Sequence, residues 1–111
     1  RVRTGAAARA LENQIYTVQS PCVGAAAFCE ACAMNVGAAG IFAPPDKGFP
    51  ENGIMALGEM NKPQWLVRTL DMDLVRALRE SGGVRTFAHW SEQPGLSKLS
   101  TPHLIGMDIR A

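Results

Sequence analysis

The hydrophobic and polar positions of the first half of the chain change period, which predicts a helix followed by strands. Residues 4–14 are rich in alanine and other helix formers, and Thr4 can cap the start of a helix there. Residues 15–18 switch to β-branched and aromatic side chains, which favour a strand. Residues 36–43 predict a buried strand in which Gly37 and Gly40 allow close backbone approach, and residues 54–58 predict a short strand.

The second half of the chain predicts one more strand and one more helix. Residues 64–70 alternate through Trp65 and its neighbours, which is typical of a strand. Asp71 or Asp73 can cap a helix that runs to about residue 80, with Gly82 as its stop. The apolar stripe of this helix is formed by Leu74, Val75 and Leu78. Residues 25–35 are expected to form a loop, and residues 91–111 an extended tail.

The order of these elements predicts an α+β fold in which residues 1–90 form the body and residues 91–111 the tail. Short turns between successive strands favour antiparallel pairing. Residues 40–43 and 65–67 are near-continuous apolar runs, which indicate burial on both faces of a sheet. Two helices are too few to cover both faces. We therefore expect this chain to dock against an upstream segment, against another copy of itself, or against both.

Composition and charge narrow the kinds of partner and the compartment that are expected for this chain. The formal net charge is +1, from 11 basic and 10 acidic residues, and the chain has no long basic run. Nucleic acid and anionic membrane surfaces are therefore poor candidates for a partner. No apolar stretch approaches the roughly 20 residues that span a bilayer. The odd count of three cysteines favours reduced thiols and a cytoplasmic setting.

Four short motifs of this sequence match those of one known family in their order and spacing. They are Arg-Ala-Leu-Glu-Asn-Gln-Ile-Tyr-Thr-Val at residues 9–18, Gly-Ile-Phe-Ala-Pro-Pro-Asp at 40–46, Gly-Ile-Met-Ala at 53–56 and Leu-Asp-Met-Asp-Leu at 70–74. Together they resemble the C-terminal part of carbon–nitrogen hydrolases of the nitrilase superfamily, from residue 9 to about residue 90. One departure is Ala39, where the family often has a small hydroxyl residue.

The resemblance implies a four-layer α-β-β-α sandwich, usually assembled into dimers or higher homo-oligomers through helices. It implies a Cys-dependent hydrolase that acts on a small-molecule amide or nitrile through a thioester. A Glu base and an oxyanion-stabilising Lys complete the family's triad. In the family these three residues precede the motif at residues 9–18. The resemblance therefore implies a catalytic segment upstream of this chain, no catalytic residue within it, and no metal or organic cofactor.

Several local features carry competing interpretations. Arg9 and Glu12 are second-shell candidates that could orient the upstream site, or they form an ordinary surface pair within a helix. Cys29 and Cys32 have the spacing of thiol-redox and zinc sites, although two ordinary buried thiols are the default. Trp65 and Trp90 are expected in core or interface packing, and His89 in a structural hydrogen bond, as is Asn13 at the helix end. The alternatives to a hydrolase segment are a non-catalytic α/β interaction module and a small redox or zinc domain.

Overall fold

The structure, a computed structural model, describes residues 1–86, 88–95 and 98 and has an α+β fold. Two α-helices frame a small antiparallel sheet within these residues, and a separate two-stranded hairpin lies between its first two strands in sequence. The elements are α1 (Val2–Asn13), β1 (Thr17–Gln19), β2 (Gly24–Ala25), β3 (Met34–Asn35), β4 (Gly40–Phe42), β5 (Ile54–Leu57) and α2 (Met72–Ser81). The tail predicted for residues 91–111 lies largely outside the described residues, as does His103.

Helix α1 begins earlier than the sequence predicts. Arg1 occupies the capping position without a side-chain hydrogen bond, so the prediction that Thr4 caps the helix is wrong. The helix continues through Val2 and Arg3 because neither residue interrupts its hydrogen bonds, and the Gly5 N–H donates to the Arg1 carbonyl at 3.0 Å. It ends at Gln14, which adopts the left-handed conformation at φ 50° and ψ 56°.

The three-stranded sheet has the order β1-β4-β5, and both of its pairings are antiparallel, as predicted. The central strand β4 is buried along its whole length, which agrees with burial on both faces. Helix α1 covers one face through contacts with β1 and β4. Gly40 is needed here because the Phe42 ring lies where a Cβ on residue 40 would sit, 2.7 Å away.

The observed strands are shorter than the predicted ones because their flanking backbone bonds elsewhere. The Ile15 N–H donates to Ala10 at the helix end, which delays β1 to Thr17. Residues 36–39 are predicted to be strand, but Gly37 exchanges two hydrogen bonds with Asn61 instead. A bulge between Ile41 and Phe42 then shifts the register against β5.

Residues 64–70 form no strand, so that prediction is wrong. The Gln64 side chain satisfies the backbone of the preceding turn, accepting from Glu59 N–H at 3.2 Å and donating to the carbonyls of Glu59 and Lys62. The segment that follows forms no ladder with either edge strand of the sheet. Trp65 is 96% exposed and Val67 is 87% exposed, while Leu66 is half-buried. Only these three residues keep the alternation that the pattern predicts, because residues 68 and 69 are both exposed.

Residues 25–35, predicted as a loop, include parts of a hairpin. β2 pairs with β3, matching Gly24 with Asn35 and Ala25 with Met34, and a 3-10 turn at Glu30–Cys32 lies between them. The Asn35 side-chain amide donates to the Gly24 carbonyl at 3.2 Å and to the Cys32 carbonyl at 2.9 Å. The Asn35 side chain thus stabilises the pairing of β2 with β3. Strands of two residues are too short to be predicted from β-propensity.

Helix α2 agrees closely with the sequence. The Asp71 carboxylate caps it by accepting from the N–H groups of Asp73 and Leu74 at 3.0 and 3.1 Å. Gly82 closes it by donating to the Leu78 carbonyl at 2.7 Å. Val75 and Leu78 are buried and Leu74 is half-buried, which confirms the apolar stripe. No helix in the described part of the chain is long and apolar enough to cross a membrane.

Candidate functional site

The most prominent candidate surface is the sheet face opposite α1. Thr17 points toward α1, since its hydroxyl donates to the Ala6 carbonyl at 2.8 Å. Successive strand residues point to opposite faces, so Val18 points away. Val18 pairs with Ile41, which pairs with Ala56, and these three side chains form one row across the sheet. This row is apolar, and α1 does not cover it.

A groove of about 370 Å³ lies over this row, and we call it the sheet-face groove. Its floor includes Val18 and Ile41, and its far wall is formed by Gln64, Trp65 and Leu66. Ile41 is 6% exposed, whereas Val18 is 69% exposed. The wall therefore covers the centre of the sheet but leaves the β1 edge open. Trp65 and Val18 are the large apolar groups that the groove presents to solvent.

The chemistry of the groove is that of a packing surface. Its polar side chains are amides and a hydroxyl, and none of its lining residues titrates near neutral pH. Gln19 donates from its amide to the Ala38 carbonyl at 3.3 Å, but its buried Oε1 has no hydrogen-bond partner among the described residues. An unsatisfied buried oxygen costs about 1–3 kcal/mol, so a donor from outside the described residues would stabilise it. The residues that line this groove include Ser20 but no cysteine, histidine, lysine or carboxylate that could act as nucleophile or base beside it.

The second-shell candidates Arg9 and Glu12 lie on the exposed side of α1. The Arg9 guanidinium contacts the Glu12 carboxylate at 2.6 Å, and their side chains are 71% and 56% exposed. A pair of this kind contributes about 0.3–0.5 kcal/mol. Its role toward a catalytic segment stays a prediction. Asn13 donates to the Arg9 carbonyl at 3.0 Å, which confirms its predicted bond to the backbone.

The three cysteines are free, and they are not the buried thiols that the sequence favours by default. Cys22 and Cys32 are exposed, and Cys29 is half-buried. The reason is local, because among the described residues the short β2–β3 hairpin makes extensive contact only between its own two strands. Across the described residues there is no group of three or more His, Cys, Asp or Glu side chains suited to a metal ion.

The aromatic and histidine candidates lie at the surface. Trp65 and Trp90 are 96% and 61% exposed, so core packing is wrong for both, and interface packing stays a prediction. The indole of Trp90 lines a shallow cavity with Glu12, Asn13 and Thr86. His89 is half-buried in a 3-10 turn at Ala88–Glu92, where its backbone N–H donates to the Arg85 carbonyl at 2.9 Å, and a hydrogen bond of its imidazole stays a prediction.

The C-terminal end of α1 is held by residues that sequence reasoning did not identify. Gln14 is 3% exposed, and its amide donates to the Val84 carbonyl. Arg79 donates from Nε to the Gln14 carbonyl at 3.0 Å and from its guanidinium to the Asn13 carbonyl at 3.3 Å. A cation beside the negative end of a helix is stabilising. No local signal could show this, because Arg79 lies 65 positions beyond Gln14.

A second set of hydrogen bonds joins the turn after β4 to the residues that follow α2. The Asp46 carboxylate accepts from the N–H groups of Gly83 and Val84 at 3.2 and 3.4 Å. Nearby, the Tyr16 hydroxyl donates to the Asp71 carbonyl at 2.9 Å, and its ring meets Phe49 edge-on at 5.8 Å. Burial raises the pKa of Tyr16 above its ordinary value of 10.0. These contacts link the C-terminal end of α1 and the turn after β4 to α2 and the residues that follow it.

Comparison with known proteins provides one relationship. The chain is 39% identical over 85 residues to the protein named "Probable hydrolase YhcX" of Bacillus subtilis (strain 168), a match that covers 77% of this chain. The chain spans about 17% of the length of that relative. No protein-family model matches the chain, and no solved structure matches it. The α+β chain is thus related to one segment of a longer protein that bears the name of a hydrolase.

Proposed function

We propose that this chain is the C-terminal portion of the catalytic domain of a Cys-dependent carbon–nitrogen hydrolase. The enzyme acts on a small-molecule amide or nitrile through a thioester intermediate. A Cys nucleophile attacks the carbon, a Glu transfers protons, and a Lys offsets the negative charge that develops. These three residues belong to an upstream segment of the longer protein. The observation that carries the proposal is the 85-residue relationship to a protein named as a hydrolase.

In this proposal the segment has a supporting task. Helix α1 and the sheet supply one flank of a sandwich, and the apolar row at Val18, Ile41 and Ala56 packs against the sheet of the upstream segment. That packing buries the sheet-face groove. A homo-oligomer forms through the exposed side of α1, where Arg9 and Glu12 lie.

The experiment compares the 111-residue chain with the longer natural protein that contains it. Both are assayed against a panel of simple amides and nitriles. We expect the longer protein to turn over at least one substrate class and to form a covalent thioester that mass spectrometry places on an upstream cysteine. We expect the chain alone to be inactive.

The control uses the three cysteines of this chain. Replacing Cys22, Cys29 or Cys32 by alanine in the longer protein leaves its turnover unchanged. Turnover by the 111-residue chain that disappears in one of these variants would show that the nucleophile lies here, and would contradict the proposal.

A further inference from the structure

The tip of the β2–β3 hairpin places two cysteines at the ends of one hydrogen-bonded turn. The Cys32 N–H donates to the Cys29 carbonyl at 3.0 Å, and the Cys29 N–H donates to the Ala26 carbonyl at 3.1 Å. The Ala26 N–H in turn donates to the Ala33 carbonyl at 3.2 Å. One hydrogen bond therefore closes the backbone between the two thiols, and two others hold the flanking residues of the hairpin tip.

This turn satisfies the main geometric requirement of a disulfide. A four-residue turn closed by a bond between its first carbonyl and last N–H brings the terminal Cα atoms within about 7 Å. Disulfides join Cα atoms that are about 4.4–6.8 Å apart. The bond from the Cys32 N–H to the Cys29 carbonyl therefore holds the Cα atoms of the two cysteines at a separation that is compatible with a disulfide.

The two thiols are accessible to reagents. Cys32 is exposed and Cys29 is half-buried, and the neighbouring Phe28 is 92% exposed. Exposed disulfides in short loops are reduced more readily than structural ones, so such a bond is reversible. The Asn35 amide holds the Cys32 carbonyl, and it anchors the turn to the hairpin in the reduced state.

We propose that Cys29 and Cys32 form a reversible dithiol–disulfide site whose co-reactant is a low-molecular-weight disulfide. One cysteine thiolate attacks the small disulfide, forms a mixed disulfide and releases one thiol. The second cysteine thiolate then attacks the mixed disulfide at the protein sulfur and releases a second thiol. The two cysteines lose two electrons and two protons, and the small disulfide gains them as two free thiols. The site is independent of the hydrolase reaction.

The test equilibrates the full 111-residue chain in mixtures of oxidised and reduced glutathione. Free thiols are alkylated and located by peptide mass spectrometry. We expect two of the three thiols to be lost together, in a peptide that carries a Cys29–Cys32 disulfide, while Cys22 remains alkylated. Added dithiothreitol restores both thiols.

The matched control is Cys22→Ser, because Cys22 is an exposed thiol outside the turn. Cys22→Ser should form the Cys29–Cys32 disulfide at the same glutathione ratio as the natural chain. Cys29→Ser and Cys32→Ser should give only mixed disulfides with glutathione. Far-UV circular dichroism confirms that each variant keeps its secondary structure.

A second readout does not require oxidation. Phenylarsine oxide binds two neighbouring thiols through one arsenic atom, and it should protect Cys29 and Cys32 together from alkylation. Protection should be lost in either single serine variant. A disulfide that joins Cys22 to one of the others, or mixed disulfides alone in the natural chain with no protection by the arsenical, would overturn the proposal.

Discussion

Replacing Val18 by aspartate tests whether the sheet-face groove is a docking surface. Val18 is 69% exposed, so about two-thirds of the ~1.5–3 kcal/mol that burial of a valine contributes remains to be gained on docking, about 1–2 kcal/mol. Aspartate removes that gain and adds the cost of burying an unpaired carboxylate, on the order of several kcal/mol. In the undocked chain the same change should cost at most about 1 kcal/mol, because the side chain already faces solvent.

Val36→Asp is the matched control, since Val36 is 67% exposed and lies between β3 and β4, outside the paired strands. Sedimentation velocity and the binding of a hydrophobic dye are measured on the 111-residue chain and on both variants. We expect the natural chain to associate and to bind the dye. Val18→Asp should weaken both, whereas Val36→Asp should leave both unchanged.

The refuting result is a strictly monomeric natural chain with a sharp, reversible melt and no dye binding. That outcome would show that the apolar row at Val18 and the exposed ring of Trp65 are stable in solvent without a docking partner. It would favour the non-catalytic α/β interaction module. Equal effects of Val18→Asp and Val36→Asp would show that association is not specific to this face.

Three further predictions concern the contribution of α2 and its contacts to the free energy of unfolding, each measured by thermal or urea unfolding. Leu78→Asp should unfold the chain, because Leu78 is 4% exposed and the new carboxylate would be buried without a partner. Leu74→Asp should lower the free energy of unfolding by less, because Leu74 is half-buried. A negligible loss in both variants would show that the apolar stripe is not buried. Asp71→Ala should cost about 0.5–2 kcal/mol through loss of the cap, and Asp71→Asn, which keeps a capping oxygen, should recover most of it. The pKa of Tyr16 is raised in the folded chain, so folding favours its neutral form. The resulting stability is fully present below pH 10.0, and it is lost as the pH rises from 10.0 through the raised pKa of the folded chain. Tyr16→Phe should remove this dependence and cost about 0.5–1.5 kcal/mol at neutral pH, through loss of the bond to Asp71; an unchanged alkaline profile would contradict it.

Local signals in the sequence were sufficient for helix α2 and for the central strand. Asp71 is a capping residue that accepts from nearby N–H groups, and Gly82 ends the same helix within one turn of Leu78. Every contact that defines these ends lies within four positions along the chain. The burial of β4 likewise follows from its apolar composition, because a strand with two apolar faces has to be covered on both.

The sequence could not predict where pairing would fail or which distant groups would meet. Residues 64–70 carry a strand pattern, but a strand needs a partner edge, and the Gln64 side chain binds the preceding turn instead. The exposure of Trp65 and of Cys32 depends on what packs beside them, which no periodicity encodes.

The sequence by itself thus determined the elements of the α+β class and the caps of α2, because each depends on residues close together along the chain. It also predicted antiparallel pairing, although β1 pairs with β4 across the intervening hairpin. Only the tertiary structure decided that Arg79 binds the carbonyl end of α1, that the Asp46 carboxylate holds the backbone after α2, and that Val18 is left open on the sheet. The physical reason is distance along the chain. Contacts across 37 and 65 positions form only when the whole sheet and both helices have come together.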